Sequence, residues 1–86
     1  MTTNEPIPFA ELRALLLQLG YVEKRTPGAL VFRHPKEGLI AFRVYRDEEA
    51  LDAGDLVSTR TFLDLRGQMD AADFDARLRR ASTPAR

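Results

Sequence analysis

Apolar residues recur at steps of three and four near the start of the chain. This spacing places them on one side of an amphipathic helix between Pro8 and Gly20. The apolar side of this helix consists of Phe9, Leu12, Leu15, Leu16 and Leu19. Proline suits the first turn of a helix, where its missing N–H has no partner inside the helix. A glycine after the last turn is a typical left-handed C-terminal stop.

Three short extended runs follow the helix, with turn residues between them. They cover Tyr21 to Arg25, Ala29 to His34 and Leu39 to Tyr45. The first two runs are separated by Thr-Pro-Gly and the last two by Pro-Lys-Glu-Gly, and proline and glycine favour tight turns at such places. Runs of this length joined by short turns predict an antiparallel meander of three strands.

Alternation within the second and third runs assigns their residues to the two faces of the predicted sheet. One face carries Leu30, Phe32, His34, Ile40, Phe42 and Val44. The other face carries Val31, Arg33, Ala41, Arg43 and Tyr45. An antiparallel sheet commonly has one face covered by helices and one face open to solvent. We therefore expect Arg33, Arg43 and Tyr45 to share the open face.

Two further helices are predicted after a polar loop. The second helix begins near Asp52, with Asp52 and Asp55 spaced as an N-cap and a first-turn acid, and it ends at Gly67. Asp70 is the expected N-cap of a short third helix that runs through Leu78.

The element order α-β-β-β-α-α predicts an α+β fold with a three-stranded antiparallel sheet and helices on one of its faces. We expect one domain over residues 9–80, with flexible tails over residues 1–8 and 81–86. The expected core combines apolar residues from all the predicted elements. It comprises Leu12, Leu15, Leu16, Leu19, Leu30, Phe32, Ile40, Phe42, Leu63, Phe74 and Leu78.

The charges of the chain balance, but they are segregated along it. The 86 residues include 13 basic and 13 acidic side chains, so the formal net charge is zero. Residues 22–46 hold six basic and two acidic side chains, whereas residues 47–76 hold nine acidic and two basic ones. A zero net charge argues against strong unspecific binding of nucleic acid. The basic middle segment still leaves local contact with phosphates open.

Composition also disfavours several kinds of chemistry. The chain has no cysteine, which excludes disulfides and thiolate metal sites. Its single histidine is His34, and its carboxylates lack the spacing of a known metal site. We therefore expect no metal and no cofactor. No apolar run is as long as a membrane span, and the opening MTTNEPIPF lacks the regions of a signal peptide, so we expect a cytoplasmic protein without a membrane partner.

Three short stretches carry a resemblance to a known family. They are LRALLLQLGY, VFRHP and AGDLVSTRTFLDL. With the predicted element order, these stretches resemble the HicA-like mRNA interferase toxins over roughly residues 9–80. The resemblance implies a fold like that of double-stranded-RNA-binding domains, here with an extra short C-terminal helix. It also implies RNA cleavage as the activity of the family and an antitoxin as its partner.

The position of the family's catalytic histidine is occupied by Ala29 in this chain. The resemblance places the family's Gly-Ser-His-type triplet on Pro27, Gly28 and Ala29. Alanine cannot transfer a proton. His34 matches a second, non-catalytic family position, and the five residues of extended chain between them span about 16 Å, too far for proton transfer. We therefore expect a degenerate member of the family that lacks the catalytic histidine.

Six residues of the basic middle segment are candidates for contact with RNA. They are Lys24, Arg25, Arg33, Arg43, Tyr45 and Arg46. The basic side chains would meet phosphates, and the tyrosine would stack on a base. His34 is interpreted instead as a strand-end residue that caps the hydrophobic layer or hydrogen-bonds a turn.

Three functions remain open on the sequence alone. The leading hypothesis is a non-catalytic binding domain that contacts RNA or a partner protein through its sheet side. The second is a protein–protein interaction module of a toxin–antitoxin-like system, including self-association, because small sheets leave edges that pair with other chains. The third is an RNase with an altered site that uses His34 as its acid or base.

Overall fold

The structure is a computed structural model that describes residues 7–82. Its elements are α1 (Phe9–Gln18), β1 (Val22–Thr26), β2 (Ala29–His34), β3 (Gly38–Phe42), α2 (Ala53–Leu65) and α3 (Ala71–Ser82). This order, with a three-stranded antiparallel sheet, confirms the predicted α+β fold. Helix α3 runs two residues past the expected end of the domain at residue 80. The other predicted tail residues, 1–6 and 83–86, lie outside the described residues.

The sheet has the order β1-β2-β3, with the longest strand in the middle. Strand β3 ends at Phe42, three residues before the predicted end at Tyr45. Phe42 pairs with Leu30, and β2 begins one residue earlier at Ala29. Residues beyond 43 therefore have no strand to pair with, and the predicted extension of β3 is wrong for this reason.

The core lies between the sheet and the helices. All the predicted core residues are buried except Leu19 and Ile40, which are half-buried against the core. The predicted core omitted four residues that the structure buries, namely Phe9, Tyr21, Tyr45 and Thr59. Phe9 is central, because its ring contacts those of Phe32, Phe42 and Tyr45 at centroid distances of 6.2, 5.9 and 4.9 Å.

A distant loop, rather than a side chain, caps the start of helix α1. The Phe9 N–H donates to the Glu49 carbonyl at 2.8 Å, and the Ala10 N–H donates to the Asp47 carbonyl at 3.0 Å. Pro8 precedes the helix in extended conformation and forms an isolated β-bridge with the same loop. The sequence predicted that Pro8 belongs to a flexible tail. The structure shows instead that Pro8 is part of the folded domain.

The other two helices begin in different ways. The Oδ1 of Asp70 accepts the N–H of Asp73 at 2.9 Å, so the predicted cap of α3 is confirmed. Asp52 occupies the N-cap position of α2 but makes no capping bond with its side chain. Its carboxylate instead accepts from Nε of Arg43 at 3.3 Å. The predicted capping role of Asp52 is therefore wrong, because a cation from the preceding loop engages the carboxylate.

Candidate functional site

The sheet has one face that no described helix covers. Directly opposed residues of neighbouring strands share a face, and the buried Leu30 and Phe32 mark the helix side. The residues between them therefore face the other way. We call the following six residues of that side the open face: Val22, Lys24, Val31, Arg33, Leu39 and Ala41. None of them belongs to the hydrophobic core or packs against it.

The open face combines apolar surface with two cations. Arg33 on the central strand lies opposite Val22 on one side and Leu39 on the other. Those two apolar side chains are 66% and 54% exposed, so they place apolar surface on both sides of the cation. Lys24 lies diagonally across from Arg33, a spacing of about 7–8 Å. Neither cation forms an ion pair with any residue that the structure describes.

Of the six candidates for RNA contact, only Lys24 and Arg33 belong to the open face. Arg25 is paired with Leu30 in the register, so its side chain starts from the helix side of the sheet. It is exposed there and lies 4.0 Å from the carboxylate of Glu23. The structure therefore separates Arg25 from the two cations of the open face.

Arg43 and Arg46 lie in the loop after β3, where each is paired with acidic side chains. Arg43 contacts Glu49 at 2.9 Å and Asp52 at 3.3 Å, and Arg46 contacts Glu48 at 3.5 Å. Hydrogen bonds to Asp52 and Glu49 raise the pKa of Arg43. The backbone N–H of Arg46, followed by Arg43, lowers the pKa of Glu49. The loop acids thus hold Arg43 away from the open face on which it was expected.

Tyr45 is buried, with only 1% of its surface exposed, so its predicted place on the open face is wrong. Its ring stacks on that of Phe9, and the guanidinium of Arg43 lies 3.9 Å from the ring centroid. The hydroxyl donates to Oδ2 of Asp55 at 2.6 Å and accepts from the N–H of Asp52 at 3.0 Å. Strand alternation fails here because the chain leaves the sheet after residue 42. The ring is therefore not available to stack on a base.

Ala29 and His34 lie at opposite ends of β2. Ala29 is half-buried beside the turn, where its carbonyl accepts from the hydroxyl of Thr26 at 3.0 Å. The Nδ1 atom of His34 accepts from the N–H groups of Lys36 and Glu37 at 3.0 and 3.2 Å. His34 therefore hydrogen-bonds the turn that follows it, as the sequence had suggested.

The environment of His34 is that of a packing residue. Its ring lies 5.0 Å from that of Tyr21, and its Nε2 approaches Gly20 so closely that a Cβ there would stand 3.2 Å away. Because Nδ1 is an acceptor, the proton of the neutral ring sits on Nε2. No described carboxylate hydrogen-bonds the ring. Gly20 and Tyr21 from the first of the three resembling stretches thus pack against His34 from the second.

The described residues offer neither a ligand-sized pocket nor a metal site as an alternative. A cavity of about 90 Å³ is lined by Ile7, Leu56, Phe74, Asp75 and Leu78. It is much smaller than the roughly 300–1,000 Å³ of typical ligand pockets. Over residues 7–82, no group of three histidine or carboxylate side chains could hold a metal ion. The open face is therefore the strongest candidate for a functional surface.

We compared the chain with family models, curated proteins and solved structures, and none of them matches it. The resemblance to the HicA-like toxins consequently stays a prediction. No helix within the described ranges is long and apolar enough to cross a membrane.

Proposed function

We propose that this chain is a non-catalytic binding domain that binds a partner protein through the open face. One observation carries the proposal: Val22 and Leu39 are exposed on either side of Arg33, on a face that the described helices leave bare. Apolar surface of this kind marks interaction sites when polar residues border it. A complementary partner presents apolar side chains to the strands and carboxylates to Lys24 and Arg33.

The chemistry of the open face favours protein over RNA. Proteins that bind single-stranded RNA stack its bases on aromatic side chains. The open face contains no aromatic residue, and Tyr45, the aromatic candidate, is buried. Arg43 and Arg46, which would have supplied phosphate contacts, are paired with acids. Two cations on an apolar surface are too few for strong electrostatic binding of a polyanion.

A binding role without catalysis agrees with the two positions on β2 that the family resemblance singles out. Ala29 has no group that transfers protons, and Nδ1 of His34 is occupied by two backbone donors. A HicA-like chain that lacks the histidine would retain its partnership with an antitoxin-like protein. The partner class we favour is therefore an antitoxin-like protein with an acidic and apolar contact surface.

Site-specific photo-crosslinking in cells tests this proposal. A photoreactive residue in place of Lys24 samples the open face, and the same residue in place of Ser58, an exposed position on α2, is the matched control. We expect a discrete protein adduct from position 24 and not from position 58. The adduct should disappear when Arg33→Glu is added and persist when Arg46→Glu is added, because only Arg33 lies on the open face.

Three results would count against the proposal. A nuclease-sensitive adduct at position 24 would show that the open face binds RNA and not a protein. An adduct unaffected by Arg33→Glu would mean that the contact lies elsewhere, as would equal adducts at positions 24 and 58. Circular dichroism checks that each variant is folded. We expect all of them to fold, because the four substituted positions are exposed.

A further inference from the structure

The two edges of the sheet differ sharply in charge. Strand β1 carries Glu23, Lys24 and Arg25 among its five residues, and charged edge strands resist pairing with other chains. Strand β3, with the sequence GLIAF, carries neither a charge nor a proline. Within the described residues, no backbone group of β3 forms a hydrogen bond outside the sheet. As far as residues 7–82 are concerned, the outer edge of β3 is therefore a row of donors and acceptors that lacks a charge, a proline or a covering segment.

We propose that two copies of this chain pair through their β3 edges, antiparallel and about a two-fold axis at Ile40. The product is a continuous sheet with the strand order β1-β2-β3-β3-β2-β1. Its open faces lie on one side and its helices on the other, because directly opposed residues in a sheet share a face. The contact is isologous, as in most homodimers.

The order of residues in and beside β3 selects this axis. Pairing about Ile40 places Gly38 opposite Phe42 and Leu39 opposite Ala41, so that these two large side chains each meet a small residue, and Ile40 meets Ile40 of the second copy. All five residues of the strand then have a partner across the interface. Just outside the strand, Glu37 comes opposite Arg43, but this guanidinium is already paired with Glu49 and Asp52 of its own chain, so the choice of axis rests on the five strand residues.

Two neighbouring registers also keep the open faces of the two copies on one side of the sheet, but they bring less compatible residues together. An axis at Leu39 would place Lys36 opposite Phe42, and so a charge against a buried ring. An axis at Ala41 would place Leu39 opposite Arg43 and leave Gly38 outside the strand pair. A slip by one residue would move side chains to the wrong face. The self-complementary register is therefore the one centred on Ile40.

A dimer of this kind is expected to be weak to moderate. Five paired residues extend over about 17 Å, and the resulting interface falls at the small end of specific interfaces. Its stability comes from backbone hydrogen bonds and from covering Leu39, which is 54% exposed in the single chain. We expect a dissociation constant between about 1 and 100 μM.

The first experiment compares two identical substitutions by sedimentation equilibrium of the full chain. Leu39→Lys places a charge on the β3 edge, and Val22→Lys places the same charge on β1. Both positions are exposed, and both lie opposite Arg33, so the two variants disturb the single chain alike. We expect Leu39→Lys to weaken dimerisation by about tenfold or more, and Val22→Lys to leave it within about twofold.

The second experiment determines the register by disulfide trapping, which the absence of native cysteine makes clean. Leu39→Cys and Ala41→Cys chains are mixed and oxidised. Opposed residues in an antiparallel pair have Cα atoms about 4.5–5.5 Å apart, within the range of a disulfide. An axis at Ile40 predicts the mixed dimer in excess over either homodimer.

Each contrary result overturns a stated part of the inference. A parent chain that stays monomeric at about 1 mM, or equal weakening by the two lysine variants, refutes pairing through the β3 edge. An excess of the position-39 or the position-41 homodimer refutes the axis at Ile40. Pairing through β3 and binding through the open face are tested separately, because Val22→Lys alters the open face and leaves the β3 edge unchanged.

Discussion

The hydroxyl of Tyr45 joins the end of the sheet to the start of helix α2. It donates to the carboxylate of Asp55 at 2.6 Å and accepts the N–H of Asp52 at 3.0 Å. Because Asp52 does not cap the helix with its own side chain, the phenol satisfies one of the backbone donors at this helix start. Replacing Tyr45 by Phe removes both hydrogen bonds and keeps the ring that stacks on Phe9.

The expected loss of stability follows from the two bonds. A hydrogen bond to a charged group contributes about 1.5–3 kcal/mol, and one between neutral groups contributes about 1 kcal/mol. Asp52 and Asp55 remain partly accessible to water, which replaces part of this energy. We therefore expect the free energy of unfolding to fall by about 2–3 kcal/mol. For a domain of this size, that corresponds to a decrease of roughly 10–20 °C in Tm.

Tyr21→Phe is the matched control. The Tyr21 hydroxyl forms one hydrogen bond, to the neutral amide oxygen of Gln68 at 2.5 Å. Deleting it should cost about 1 kcal/mol, clearly less than Tyr45→Phe. Urea unfolding followed by circular dichroism measures both variants, and an unchanged m-value confirms that the unfolded surface is the same.

The same phenol makes stability dependent on alkaline pH. Burial, followed by the hydrogen bond to Asp55, raises the pKa of Tyr45 to about 12. An unfolded phenol titrates near pH 10, so between about pH 10 and 12 the folded chain binds more protons than the unfolded one. The stabilising contribution is therefore complete below pH 10 and is lost as the pH rises to 12, on the order of 2 kcal/mol in total.

Absorbance titration of the phenols shows whether Tyr45 causes this pH dependence. The chain has two tyrosines and no tryptophan, so Tyr45 is the single phenol that remains in Tyr21→Phe. Two observations would refute the reasoning: equal destabilisation by the two variants, or an ordinary pKa for the phenol that remains. Equal destabilisation would mean that water serves Asp52 and Asp55 as well as the hydroxyl does, and an ordinary pKa would mean that burial does not shield the phenol from water.

Three further substitutions test local features of the fold. Gly20→Ala should destabilise by about 1–3 kcal/mol, because φ is +100° and a Cβ would meet His34 at 3.2 Å, whereas Gly54→Ala, with open space around it, should be neutral or stabilising. His34→Ala should cost about 1–2 kcal/mol in urea unfolding and leave any RNA cleavage by the preparation unchanged, whereas a loss of cleavage would revive an acid–base role. Asp70→Ala removes the acceptor for the N–H of Asp73 and should lower Tm by an amount equivalent to about 1 kcal/mol, and Asp70→Asn should restore most of it.

The accuracy of the sequence predictions depends on how local each feature is. The bounds of β2 and the stop of α1 at Gly20 depend on neighbouring residues, and the structure agrees with both. The contact of His34 with the turn spans three residues and was also anticipated. Strand β3 was predicted too long, because its end depends on where its partner strand begins.

The functional surface was anticipated only in part. Alternation placed Val31, Arg33 and Ala41 on the uncovered side of the sheet, where the structure has them. The same alternation extended through β1 would have added Val22 and Lys24. The charge distribution, however, predicted that six residues of the basic middle segment contact RNA together. The fold separates them, because they lie on the sheet, in the loop after β3 and in the core.

The sequence by itself determined the order and kind of the elements, since the repeat of apolar positions acts over a few residues and sets which side each helix or strand buries. The tertiary structure alone decided the role of Tyr45 and the cap of helix α1. Phe9 meets Tyr45 and the Glu49 carbonyl across a gap of 36 to 40 residues. The physical reason is that such contacts form only when the whole chain packs, and no local pattern encodes them.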